Sequence, residues 1–296
     1  MSKRIFLLIL TNILVVLTLT LILHFTGLSR YLSGMGGGYD GFFLVCLAWG
    51  FGGAFFSLAI SRIMAKFAMG VQVIDPRNPG GFSALVETVH RLAREAGLPA
   101  LPEVGVYQSP ELNAFATGPT KRRALVAVST GLLQRMDGDE LEGVLGHEIT
   151  HIANGDMVTM TLLQGVLNTF VIFLARVVGR IVDGAMGGSN RDGGGMGYFA
   201  VVMILQLVFG LIASLIVMAF SRAREFRADA GGARLAGRER MIAALQRLQV
   251  QHGASTLPKA MAAFGISDRA AGGLGRLWMS HPPLEERIEA LRNSPG

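Results

Sequence analysis

The chain has 296 residues, of which 51% are hydrophobic and 16% charged, and its mean hydropathy is +0.45. So apolar a composition excludes an ordinary soluble enzyme and points to a protein that lives in a lipid bilayer. The net charge of +6 requires no nucleic-acid partner and suits a domain held against an anionic leaflet.

In chain order, the first element is an apolar stretch from Ile5 to Phe25, with His24 the titratable residue near its end. It is longer than the apolar core of a signal peptide and lacks a small-x-small cleavage site, so it reads as an uncleaved anchor. A second stretch runs from Phe42 to Ile63 and contains Gly50, Gly52 and Gly53; a third covers Val158 to Val178, and a fourth Tyr198 to Phe220. Each has roughly the 20 residues needed to cross a ~30 Å hydrocarbon core. Cys46, the one cysteine, lies within the second, which excludes an intramolecular disulfide and a thiolate metal cluster.

Basic residues orient these four predicted transmembrane helices. Lys3 and Arg4 precede the first, Arg62, Lys66 and Arg77 follow the second, and Arg222, Arg224 and Arg227 follow the fourth, whereas the first loop carries only Arg30. Both termini and the 64–156 segment are therefore expected in the cytoplasm. Arg176, Arg180 and Arg191 run against this rule on the predicted outer side, partly offset by Asp183 and Asp192. They flank a glycine-rich loop, Gly184 to Gly197.

Between the second and third spans the pattern is that of a small α+β unit. Phe82 to Ala96 places Leu85, Val86, Val89, Leu92 and Ala93 at helical spacing and ends at Gly97-Leu98-Pro99. Three extended segments follow, Glu103 to Gln108, Asn113 to Thr117 and Ala124 to Ser129, separated by Pro102, Pro110 and Gly118-Pro119. They are expected to form a sheet packed on the next helix. Asn113, Ala114, Phe115, Ala116 and Thr117 read as an exposed edge able to pair with extended substrate, with an interior strand as the alternative.

That next helix carries the principal signal. Leu141, Val144, Leu145, Ile149 and Ile152 share an apolar face, Asp137 or Asp139 is placed to cap its start, and His147-Glu148-Ile149-Thr150-His151 forms an H-E-x-x-H run. Histidines at i and i+4 point the same way, half of a tetrahedral zinc site, and Glu148 between them is placed to act on water. The longer motif with a third histidine is absent, since Met157 occupies that position. A carboxylate ligand is needed instead. Glu225 and Asp229, again at i and i+4, fit as third ligand and as the group orienting a ligand histidine. Asp156 has two readings, a helix cap and a site-orienting group, with the cap preferred. His90 and His252 read as surface residues.

Parity links topology to chemistry. One metal can be shared by His147, His151 and Glu225 only if the chain crosses the membrane an even number of times between them, and two spans intervene. His151 and Glu225 each lie roughly 8–11 Å beyond the apolar stretches, at about 1.5 Å per helical residue. The metal is expected just above the membrane surface. Beyond Asp229 come a helical stretch from Arg238 to Gln251, a less regular Gly/Ala-rich segment, Ser280-His281-Pro282-Pro283 and a short helix ending at Arg292.

Four runs resemble the HtpX-type family of membrane-bound bacterial heat-shock zinc metalloproteases: Gly146 to Asp156, Asn113 to Gly118, Glu225 to Asp229, and Ser280 to Pro283. More distant relatives are the prenyl-protein proteases of eukaryotes. The resemblance implies a multi-pass protein of the bacterial inner membrane acting on protein or peptide substrates, membrane proteins among them, in quality control. The expected fold is a mainly α membrane protein, four spans joined to a cytoplasmic α+β gluzincin-like domain. Its parts are a 1–65 two-span anchor, a 66–157 protease part, a 158–220 second helix pair and a 221–296 part bearing the third ligand.

The expected reaction is peptide hydrolysis with one Zn2+ per chain, Glu148 acting as general base and then acid. His281, ahead of the rigid Pro282-Pro283 pair, is assigned to stabilising the oxyanion; capping of the last helix and a fourth zinc contact are its alternatives. Two rival classes are weaker. An intramembrane protease is disfavoured because the H-E-x-x-H run lies outside the apolar stretches. A scaffold with structural zinc would need four protein ligands where the motifs supply three.

Overall fold

The computed structural model describes residues 38–185, 196–254 and 277–294. The first expected span lies outside them, as do most of the glycine-rich loop and of the Gly/Ala-rich segment. Contacts divide the chain into two units, Met1–Phe56 with Thr161–Ala219, and Ser57–Met160 with Phe220–Gly296.

Three described helices are long and apolar enough to cross a membrane: α1 (Gly38–Met69), α5 (Asp156–Ala185) and α6 (Met196–Ala236). Within the first unit, Leu44, Phe170, Leu174, Ile204 and Ile212 stand exposed, an arrangement that only a lipid solvent makes favourable. The helices meet through small residues instead. A Cβ built on Gly50 would lie 2.3 Å from Thr169 Oγ1 and 2.8 Å from the Gly165 carbonyl, so α1 and α5 touch almost backbone to backbone. Phe43 then packs edge-on against Phe173 with ring centroids 5.3 Å apart.

The second unit contains the remaining elements: β1 (Gln72–Val73), α2 (Ser83–Glu95), β2 (Glu103–Tyr107), β3 (Ala114–Thr117), β4 (Leu125–Ser129), α3 (Thr130–Arg135), α4 (Gly138–Asn154), α7 (Arg238–Ala254) and α8 (Leu284–Asn293). The sheet order is β1-β2-β4-β3. β2 and β4 run parallel, and β3 is antiparallel to β4 with Phe115 opposite Ala127. β4 is buried along its whole length, as a central strand of Leu, Val and Ala should be. One sheet face packs Val104, Val126 and Val128 against Leu85, Val89 and Leu92 of α2 and Leu145, Ile149 and Ile152 of α4. Tyr107, Leu125 and Ala127 fill the other face with Val71.

The three predicted strands and the helices around them occur within a few residues of their expected bounds. β1 and the short helix α3 had no recognisable pattern, since two and six residues carry no period. β3 lies at the sheet edge, not in its interior. Asn113 stands just before it: its side-chain amide donates to the Tyr107 hydroxyl at 2.7 Å and its backbone N–H to Ser129 Oγ at 3.2 Å.

A candidate metal centre

Helix α4 is held at both ends. Asp137 accepts from the Glu140 N–H at 2.8 Å while Glu140 accepts from the Asp137 N–H at 3.1 Å, a reciprocal capping box. At the other end Gly155 turns the chain with φ +71°, a left-handed conformation natural to glycine. Its apolar face enters the core, which leaves His147, Glu148 and His151 directed elsewhere.

Glycine also sets the spacing of α4 and α6, the two helices that carry the candidate metal donors. A Cβ on Gly231 of α6 would lie 2.2 Å from Thr150 Cγ2, and one on Gly232 3.0 Å from the His147 backbone nitrogen. On the α4 side, a Cβ on Gly146 would lie 3.2 Å from the Gly232 carbonyl. The closeness brings Glu225, 1% exposed, beside both imidazoles. His147 Nε2 lies 3.1 Å from His151 Nε2 and 3.5 Å from Glu225 Oε2, and His151 Nε2 lies 3.4 Å from Glu225 Oε1. Ligands about 2.0–2.2 Å from a tetrahedral zinc are roughly 3.3–3.6 Å apart, so the donor atoms are spaced for such an ion. The charge balance fits as well: both Glu225 oxygens are buried without a well-formed hydrogen bond, a cost that a cation between these donors would remove. Among the described residues these three form the one cluster whose donor atoms all lie within 4.8 Å.

Each imidazole is fixed from behind by a carboxylate. His147 Nδ1 lies 2.9 Å from Asp229 Oδ1, and His151 Nδ1 lies 2.6 Å from Asp156 Oδ2. The preferred reading of Asp156 as a cap is thus corrected. Although it opens α5, it is buried with its carboxylate against His151, because the Gly155 turn folds it back over the preceding helix. Asp229 is in turn gripped by Arg287 through two parallel bonds, Nε to Oδ2 at 2.7 Å and Nη2 to Oδ1 at 2.6 Å. Arg287 Nη1 also approaches Glu225 Oε2 at 3.6 Å. On the other side Arg224 lies 3.7 Å from Glu225 Oε1 and 3.9 Å from Asp156 Oδ2. These two arginines were missed in the sequence. A signal for Arg287 existed: it shares the apolar face of α8 with Leu284, Ile288 and Leu291, where a solvated charge does not belong.

Electrostatics follow the partners. Burial opposes a charged His147, but the neighbouring carboxylates of Asp229 and Glu225 outweigh it and raise its pKa to about 9. His151 is raised for the same reason, burial being overcome by Asp156 and Glu225.

The remaining predicted residues are placed as follows. Glu148 is half-buried on α4, next to the His147 ligand position. His281 is exposed at 51%, with Nδ1 2.8 Å from Glu225 Oε2. The segment leading to it is clasped by Arg222, which donates to the Met279 carbonyl at 2.8 Å and the Leu277 carbonyl at 3.0 Å. His281 does not belong to the three-donor cluster, and the cap position of α8 is taken by Pro283. His90, expected on the surface, is half-buried and bonds the Pro102 carbonyl at 3.2 Å.

An H-E-x-x-H helix and a glutamate-bearing helix closing on one pocket of donors, beside a small mixed sheet, define a membrane-associated peptidase. The chain belongs to Peptidase family M48, whose profile matches residues 81–294. Within that family it is an HtpX-type protease. It is 55% identical to the protease HtpX of Xanthomonas oryzae pv. oryzae over 298 aligned residues, 100% of this chain and 99% of the relative. A protease HtpX of Xanthomonas campestris pv. campestris is 54% identical over 297 residues, with the same coverage. The crystal structure of S. mikatae Ste24p has the same fold at 18% identity, with a TM-score of 0.65 over 98% of this chain and 67% of the other.

Proposed function

We propose that this multi-pass membrane peptidase is a zinc-dependent endopeptidase of the bacterial inner membrane, with both termini and the active site in the cytoplasm. The observation that carries the zinc assignment is the set of His147, His151 and Glu225 donor atoms within 4.8 Å, two of them locked by carboxylates. A zinc ion bound there supplies a Lewis acid for the scissile carbonyl and for the attacking water. Everything else falls to side chains. Glu148 takes the proton of the water and passes it to the leaving amine. Asp229 and Asp156 hold the Nδ1 protons, so that both Nε2 lone pairs face the centre. Arg287 prevents Asp229 from turning away. His281, half in solvent beside Glu225, is placed to donate to the carbonyl oxygen as negative charge grows on it.

The edge strand Ala114–Thr117 supports a substrate site. A peptidase with little side-chain selectivity must hold backbone, and an added strand on β3 does so through main-chain hydrogen bonds. Asn113, tied to Tyr107 and Ser129, anchors the strand's start. The cytoplasmic orientation rests on the flanking Lys and Arg residues. The role in quality control of membrane proteins rests on the family resemblance.

One panel tests the reading on detergent-solubilised protein. Glu148→Gln retains one zinc per chain and loses proteolysis, and His281→Ala lowers kcat by about 10²–10³ with little change in zinc affinity. Ala116→Pro keeps zinc and fold but impairs cleavage, since proline lacks the donor that strand pairing uses. Retained activity in Glu148→Gln, or zinc lost in step with activity, overturns the mechanism.

A further inference from the structure

Arg176, Arg180 and Arg191 contradict the charge rule that orients the spans, and two of the three are described. On α5 the residues Thr169, Phe173, Arg176 and Arg180 follow one another at three- and four-residue steps, so they form one stripe. Thr169 and Phe173 on that stripe meet Gly50 and Phe43 of α1, so the two guanidiniums continue the α1–α5 seam toward the end of the span. Both lie over the same Phe42 ring, the Arg176 carbon 5.9 Å and the Arg180 carbon 5.5 Å from its centroid. Tyr198 of α6 closes the group. Its ring edge would lie 3.4 Å from a Cβ on Gly179, an approach that the bare backbone permits, and its phenol is within reach of Arg180.

The cluster is unbalanced. Arg176 is only 9% exposed, and its Nη1 has no hydrogen-bond partner. Among the described residues no ion pair joins a carboxylate to either arginine, and Cys46, which the Arg176 side chain meets, is a poor acceptor. A guanidinium so enclosed at the end of a span is costly unless an anion meets it, and such groups in membrane segments mark binding sites. Height selects the anion. Arg176 falls in the last turn of the apolar stretch and Arg180 one turn beyond, the level of lipid phosphates in a bilayer whose core about 20 helical residues cross. Exposed Leu44 and Ile181 near the same ends offer apolar surface for acyl chains.

We propose that Arg176, Arg180 and the Tyr198 hydroxyl bind the phosphate of an anionic phospholipid at the end of the α1–α5 seam. Guanidinium forks match phosphate oxygens two at a time, and a phenol donates a third bond. With the headgroup bound, the single negative charge of the phosphodiester offsets one of the two guanidiniums, which lessens the free positive charge on the outer side. The site is separate from the peptidase chemistry and stands whether or not the zinc assignment does.

The test uses the full chain, purified, delipidated and followed by native mass spectrometry and thermal unfolding. Added phosphatidylglycerol should give a retained one-to-one adduct and a raised Tm, with at least tenfold preference over phosphatidylcholine. Arg180→Gln, exposed and thus harmless to folding, should lower that preference several-fold. Arg176→Gln should abolish it, and Arg176→Lys, which keeps the charge without the fork, should restore only part. Inorganic phosphate alone is the second arm. A shift with phosphate equal to that with phosphatidylglycerol overturns the lipid assignment, as does an undiminished lipid preference in Arg180→Gln combined with Arg176→Lys.

Discussion

Both units of the molecule bring helices together by omitting side chains, and they use the closeness for opposite ends. In the first unit Gly50 lets α1 approach Thr169 and Gly165, and what meets across the seam is apolar surface and one hydroxyl already bonded within its own helix. In the second, Gly231 and Gly232 let α6 approach α4, and what meets is a buried carboxylate and two imidazoles. A glycine seam is therefore a packing device and no more. The chemistry comes from charged groups placed beside it, and from the second layer, Asp229, Arg287 and Asp156, that makes their burial tolerable.

The sharpest break of this comparison is to remove that second layer. Asp229→Asn should lower zinc affinity about 100-fold, the upper end for loss of a group behind a ligand. It should also destabilise the fold by about 3–5 kcal/mol, because Arg287 is left buried without its counter-charge. Asp156→Asn should cost about tenfold in zinc affinity and little stability, since Arg224 there is partly solvated and 3.9 Å away. Metal competition titrations and thermal melts separate the two; equal effects at both positions would show that the arginine has no part in the site.

A smaller effect tests the seams themselves. Gly231→Ala and Gly50→Ala should each destabilise by about 1–3 kcal/mol, the usual cost of overpacking. Only Gly231→Ala should weaken zinc binding, because only that seam sets a ligand distance. If Gly50→Ala weakens zinc binding as much, the two seams are coupled and the distinction fails.

The smallest effect concerns protons. With its pKa raised to about 9, His147 in the metal-free protein carries a proton at neutral pH. That proton stabilises the metal-free fold fully below the ordinary pKa of about 6.5, and the benefit disappears as pH rises through about 9. A zinc ion held by these donors would have to displace it. Binding at pH 7 should therefore release protons, and apparent affinity should climb with pH until about 9. Calorimetry in buffers of different ionisation enthalpy measures the release; none at pH 7 would contradict the arrangement of His147 between Asp229 and Glu225.

The cluster of His147, His151 and Glu225, which could hold a metal, was legible because each half of it is local. His147 with His151, and Glu225 with Asp229, lie one helical turn apart, and helix period alone puts each pair on one face. The strands near the site were equally legible, since Glu103–Tyr107 and Leu125–Ser129 each place two valines at alternate positions between prolines and glycines. Asp156 was misread for a related reason: an acidic residue opening a helix is an ordinary cap, and only the direction of the Gly155 turn shows that it faces His151 instead. Arg287 stands 58 residues from Asp229 in sequence and 2.6 Å away in space, and no local pattern spans such a gap.

Sequence by itself determined which imidazoles and carboxylates share a helix face and which stretches are apolar enough to leave water, because both are properties of spacing and composition along one helix or strand. Tertiary structure decided the rest. It set the distance between α4 and α6, placed β3 at the sheet edge, and gave His147 and His151 each its own carboxylate, because these depend on how backbones and buried charges meet in three dimensions.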